Sequence, residues 1–279
     1  MSAEANVPAT LIRPSRGWSA LNLGELWRYR ELIFFLTWRD VMVRYKQTLL
    51  GAAWAILKPF LTMVIFYFVF DRLASVPTDG YPGPIFYFSG LLPWILFQEG
   101  VTKAGNSLVT GANLITKVYF PRLSIPLASV VSGLVDFGLS FVVLVGMMVV
   151  YGVPFSPRLL AVPLFILLAL VTALGVGLWV SAMNVTYRDV GHVVPFAVQA
   201  WMYASPIVYS VNLITDPVWR WVYGLNPVAG VVMGFRWAIL GGTAFPGWLV
   251  LESTVVSLLL LASGALYFRR MERTFADVV

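Results

Sequence analysis

The chain has 279 residues, of which 59% are hydrophobic, 15% aromatic and only 11% charged. Nineteen Lys/Arg, thirteen Asp/Glu and one His are too few to solvate a soluble globule of this length, in which about 25% of residues carry charge. The aromatic content excludes a disordered chain, the absence of Cys excludes disulfides and thiolate chemistry, and the single His192 excludes a histidine metal cluster. What remains is an all-α integral membrane protein that crosses the bilayer several times. A net charge of +6 does not by itself indicate nucleic acid, because in a membrane protein the placement of basic residues matters more than their sum.

In chain order, residues 1–21 read as a mobile cytoplasmic tail, and Arg13, Arg16, Arg28 and Arg30 interrupt any apolar run before Leu32, so no signal peptide is expected. Residues 22–51 are dense in both apolar and basic side chains. At about 100° per residue, Arg28, Arg39 and Lys46 fall within about 20° of one another. With the apolar run 32–36 this predicts an amphipathic helix lying in the membrane interface. Arg30 and Arg44 fall on other faces, which predicts a break in it.

Residues 52–279 form one six-span domain. A span needs roughly 20 mainly apolar residues, and the stretches that supply them are about 52–70, 84–102, 123–150, 159–183, 190–209 and 248–268. Six spans leave both termini on one side. Fifteen of the nineteen Lys/Arg then fall on that side, which places both termini in the cytoplasm. Residues 211–247 are split by Asn226-Pro227, and the half at 227–240 is too short to span and too apolar for a solvated loop. It fits either a re-entrant hairpin buried in protein or a helix on the outer surface.

Catalytic signatures are missing. There is no phosphate-cradling P-loop, no H-E-x-x-H and no G-x-S-x-G elbow. Asp136, Glu252 and Glu99 are the acidic residues at span depth, where each costs roughly 2.5–3.5 kcal/mol to insert. Proton relay or substrate contact would explain them, and so would polar clamping between helices, which is the simpler reading. They lie on different spans with no shared motif. Phe60, Phe66 and Tyr67, then Trp94 and Phe97, then Trp201 and Tyr203, place aromatic rings within three spans. Such rings can stack on the C–H faces of sugars, or face lipid and pack helices.

Several segments together resemble the membrane subunits of polysaccharide-exporting ABC transporters: residues 38–51 (WRDVMVRYKQTLLG) with 52–59 (AAWAILKP), 113–122 (NLITKVYFPR), 187–190 (YRDV) and 268–279 (FRRMERTFADVV). The resemblance runs in order over 38–279. It implies a permease of which two copies form the pore. Each copy would bind a soluble ATPase subunit that carries the ATP and magnesium, with no cofactor on this chain. The substrate would be a glycan on a polyprenyl-diphosphate lipid, such as O-antigen; exporters of teichoic acid, lipid or drugs share the architecture. A membrane glycosyltransferase would need a clustered acid/base or metal set at one membrane face.

By this resemblance a short cytoplasmic coupling helix within 111–126 docks in the ATPase. Asn113, Leu114, Lys117, Tyr119, Phe120, Pro121 and Arg122, with Arg188 and Asp189, are the coupling candidates, and Phe120 is expected as a protruding aromatic knob. Arg39, Arg44, Lys46 and Lys58 are candidates for the interface helix and for attracting the diphosphate. Phe60, Tyr67, Trp94, Phe97, Trp201 and Tyr203 are the expected channel aromatics. The segment 211–247 would gate the outer mouth.

Overall fold

The computed structural model describes residues 23–46, 51–117, 120–214, 216–241, 244–272 and 275, and among these there are helices and no strands. The helices are α1 (Leu23–Arg28), α2 (Arg30–Lys46), α3 (Ala53–Phe66), α4 (Gly83–Thr110), α5 (Ala112–Lys117) and α6 (Ser124–Val131). They continue with α7 (Gly133–Val150), α8 (Val162–Thr186), α9 (Val190–Tyr203), α10 (Pro217–Gly224), α11 (Pro227–Leu240) and α12 (Gly247–Met271). The expected tail at 1–21 lies outside the described residues.

Four helical segments are long and apolar enough to cross a membrane: Ala53–Leu73, Ser124–Val150, Pro157–Thr186 and Gly247–Met271. They coincide with the first, third, fourth and sixth expected spans. The other two expected spans differ in kind. α4 has 28 residues and ample length, but Gln98, Glu99 and Lys103 interrupt its apolar run. α9 has 14 residues and stops at Tyr203, where the sequence reading continued to 209. Pro206 accounts for the early stop, since it disfavours a helical conformation in the residue before it.

α4 is the central post. It packs on α8, α6, α7, α11 and α3, and Ile85, Phe86, Tyr87, Phe88, Trp94 and Phe97 on it are fully buried. The seam between α8 and α12 is close because its residues are small. A Cβ on Gly175 would lie 2.7 Å from the Leu261 nitrogen, and one on Gly264 would lie 2.5 Å from the Gly175 oxygen. A Thr172–Ser257 hydroxyl pair at 2.8 Å ties the same seam. Small residues with hydroxyl clamps are how helices approach each other where water supplies no hydrophobic drive.

α10 and α11 form the predicted two-part segment. Asn226 accepts from the Val228 nitrogen at 3.1 Å and Pro227 occupies the first turn of α11, a favourable helix start. Asp216 caps α10 in the same way. α11 is buried along most of its length, which meets the condition for a helix too short to span. α10 instead exposes Val218, Trp219, Trp221 and Val222.

Candidate functional site

One end of the bundle carries α2 and α5. α1 and α2 are separated only at Tyr29, which keeps helical hydrogen bonds on both sides, so the expected break is a single residue. One face of α2 docks on α6 and α7. Leu36 and Val41 are buried there, Thr37 approaches the Ala128 oxygen at 3.5 Å, and Ser129 donates to Asp40 at 3.3 Å. The other side exposes Phe34, Phe35, Trp38 and Met42. Arg39 pairs with its neighbour Asp40 at 2.9 Å, and Lys46 is exposed.

At the C-terminal end of α2 the sequence candidates meet partners that the sequence did not indicate. Arg44 forms an ion pair with Asp136 of α7 and donates to Ser132 at 3.1 Å. Tyr45 also donates to Asp136. Burial pushes the Tyr45 phenol above its usual range, so it stays a neutral donor. Lys103 bridges Asp136 at 3.3 Å and Glu99 at 2.6 Å, and Glu99 reaches Lys58 at 3.2 Å. Arg44 is therefore engaged by a carboxylate and not open to an anion, whereas the Lys58 side chain is 57% exposed. Asp136 and Glu99 belong to this polar clamp between helices. Glu252 lies elsewhere, against Gly224, and His192 is exposed in the first turn of α9. Among the described residues, no group of acidic or His side chains is arranged to hold a metal.

The coupling segment occupies the same end. A second apolar cluster joins Phe120 and Ile125 to Leu36, Leu108, Leu178, Val185, Phe268 and Phe275. Phe120 is only 6% exposed, which corrects the expected protruding knob: the ring is drawn inward because α2, α8 and α12 offer it an apolar pocket. Arg122 donates to the Glu272 oxygen at 2.5 Å and lies over the Phe275 ring, Leu114 packs partly against the cluster, and Pro121 is half-buried. Asn113 and Lys117 are exposed. So are Arg188 and Asp189, on the turn between α8 and α9. That turn sits beside the end of α4, where Asn184 donates to the Gly105 oxygen and to Asn106, both at 3.0 Å. Tyr119 lies outside the described residues.

The aromatic set divides. Trp94 and Phe97 are fully buried in the core, which corrects their placement as walls of a path: they fill the space between α4 and its neighbours. Phe60 and Tyr203 are exposed, at 40% and 55%. Tyr67 accepts from the Arg72 guanidinium at 2.7 Å. Trp201 donates to Asn226 at 3.0 Å and lines a cleft of about 640 Å³ with Tyr209, Asp216, Trp219, Tyr223 and Asn226. That volume suits a small ligand. Tyr209, Trp219 and Tyr223 were not among the sequence candidates, because their rings converge only through the fold of residues 204–226.

The end opposite α2 holds another unpredicted feature. Arg236 of α11 is 5% exposed and has no carboxylate within ion-pair distance among the described residues. Its guanidinium donates to the oxygens of Pro206 at 3.0 Å, Ile207 at 3.1 Å and Phe86 at 3.3 Å, and lies 3.8 Å from the Phe86 ring centroid. A sequence signal existed: it is the lone charged residue between Arg220 and Glu252.

Comparison with known proteins adds the following. Residues 31–240 match a family described as ABC-2 type transporter. The chain is 29% identical to an O-antigen export system permease protein of Klebsiella pneumoniae over 92% of this chain and 97% of that one. It is 30% identical to a protein of the same description from Myxococcus xanthus, over 91% and 98%. A polysialic acid transport protein of Escherichia coli is 20% identical over 84% and 91%.

Proposed function

Because the chain belongs to the ABC-2 type transporter family, we propose that it is the membrane permease of an ATP-driven exporter of polyprenyl-diphosphate-linked polysaccharide, of the O-antigen kind. Its substrate would feed lipopolysaccharide assembly, and its place would be the inner membrane, with both termini cytoplasmic. Two copies would frame the path through six spans each. Two soluble ATPase subunits would supply the energy, with ATP and magnesium bound on them. In this reading residues 22–51 lie at the membrane interface, residues 52–279 form the permease domain, and α10 with α11 guards the outer mouth.

The relatives that export O-antigen or transport polysialic acid support the substrate class. The observation that carries the energy-coupling reading is the second apolar cluster. It fixes Phe120 and Ile125, with Leu114 packed partly against them, to α2, α8 and α12 through Leu36, Val185 and Phe268, while Asn113, Lys117, Arg188 and Asp189 stay on the surface. A push on this exposed ledge is transmitted to packed helices and not absorbed by a loop. The diphosphate would enter laterally beside α2 and the start of α3, drawn by the basic residues there. The cleft containing Trp201 offers rings of the type that hold sugars.

The test is copurification with the soluble ATPase subunit, together with glycan export in cells. Replacing Asn113, Lys117 and Arg188 with Ala, all on the surface, should abolish export and ATPase capture while insertion and the unfolding temperature stay unchanged. Normal export by this triple variant would remove the coupling reading.

A further inference from the structure

Five charged side chains form one alternating series across four helices: Arg44, Asp136, Lys103, Glu99 and Lys58. It begins and ends on a cation, so it holds three positive groups against two carboxylates. The other four members have side chains only 13–28% exposed, whereas Lys58 is 57% exposed. A series that is one anion short can accept that anion where a cation is open, and only Lys58 qualifies.

Glu99 is shared in a way that permits exchange. Its Oε1 accepts from Lys58 at 3.2 Å, while its Oε2 accepts from Lys103 at 2.6 Å. If Lys58 is drawn away, Glu99 keeps the shorter bond and is not left buried and unpaired. Lys58 also lies on a helical segment apolar enough to cross a membrane, where its neighbours Trp54, Phe60 and Leu61 are exposed, a surrounding unsuited to a free hydrophilic ion and suited to a headgroup carried on a lipid tail.

We propose that the Lys58–Glu99 bond is a replaceable tie between α3 and α4, and that a phosphate-bearing lipid headgroup displaces Glu99 from Lys58. Occupancy would open this polar link at one end of the α3–α4 contact, leaving the apolar packing of Met63 and Phe66 on α4 in place, while α3 stays joined to α7 through Ser140 donating to the Ala55 oxygen at 2.6 Å. This inference rests on the exporter reading for the identity of the natural lipid, but its chemistry requires only phosphate on an apolar chain.

The experiment is binding to the full-length chain in phosphatidylcholine nanodiscs, with farnesyl diphosphate as one probe and phosphatidylglycerol as the other. Lys58→Ala should weaken binding about tenfold, and Lys58→Arg should retain most of it. Glu99→Gln should tighten binding severalfold, because the competing carboxylate is gone; a merely structural role for Glu99 would not tighten it. Preference for farnesyl diphosphate would assign the tie to a diphosphate carrier, and preference for phosphatidylglycerol to ordinary anionic lipid. No binding of either probe to the parent chain, or equal affinity for Lys58→Ala, would overturn the inference. If Glu99→Gln does not fold, the Ala and Arg variants at Lys58 still decide. Lys58-dependent binding by a chain that captures no ATPase would sink the exporter reading alone. ATPase capture and export with Lys58-independent binding would sink the replaceable tie alone.

Discussion

The two ends of the bundle are held together by different chemistry. The end with α2 and α5 is tied by ion pairs between helices far apart in sequence, Arg44 to Asp136 and Lys58 to Glu99. The opposite end is tied by one guanidinium spread over three backbone oxygens, those of Pro206, Ile207 and Phe86. A carboxylate partner can be exchanged for another anion, whereas a backbone carbonyl has no mobile competitor. By this contrast the first end carries one tie exposed enough to be exchanged, Lys58 to Glu99, and the second is a fixed scaffold around the aromatic cleft.

Four stability measurements on the purified chain break or sharpen this contrast. Arg236→Met should cost most, roughly 4 kcal/mol, because the Pro206 and Ile207 carbonyls lose a buried donor and Phe86 loses one of two side-chain donors; thermal unfolding in detergent reads it, and Arg236→Lys should recover only part. Asp136→Asn should cost roughly 3 kcal/mol by leaving Arg44 without its anion and Lys103 with Glu99 alone. Adding Arg44→Met should return part of that loss, which a plain packing defect would not allow. Asn226→Ala removes the α11 cap and the partner of Trp201, a loss of about 1–2 kcal/mol. Lys58→Ala should change stability by less than about 1 kcal/mol, since an exposed pair contributes little. If Lys58→Ala proved as damaging as Arg236→Met, the distinction between exchangeable and fixed ties would fail.

Composition and hydropathy made the helical membrane class legible, because four segments have the length and apolarity of spans over their whole course. α4 was harder to place, since its polar residues are stabilised by helices distant in sequence. The pair Glu99 and Lys103, one helical turn apart, was visible as spacing. Its link to Asp136 was not, because that requires the packing of α7 on α4. Phe120 was legible as an unusual aromatic, but its direction depended on a pocket assembled from α2, α8 and α12. Trp94 and Phe97 show the same limit: a ring in a span reads alike whether it faces a path or a neighbouring helix.

The glycine seam of α8 and α12 has a mechanical consequence. With the backbones at Gly175 and Gly264 closer than any added Cβ would permit, the pair has no clearance in which to slide or rotate. It behaves as a single beam. Under the proposed coupling, a displacement applied where Phe268 and Val185 meet Phe120 would appear at the far end of both helices as a tilt of equal sense, with little taken up on the way.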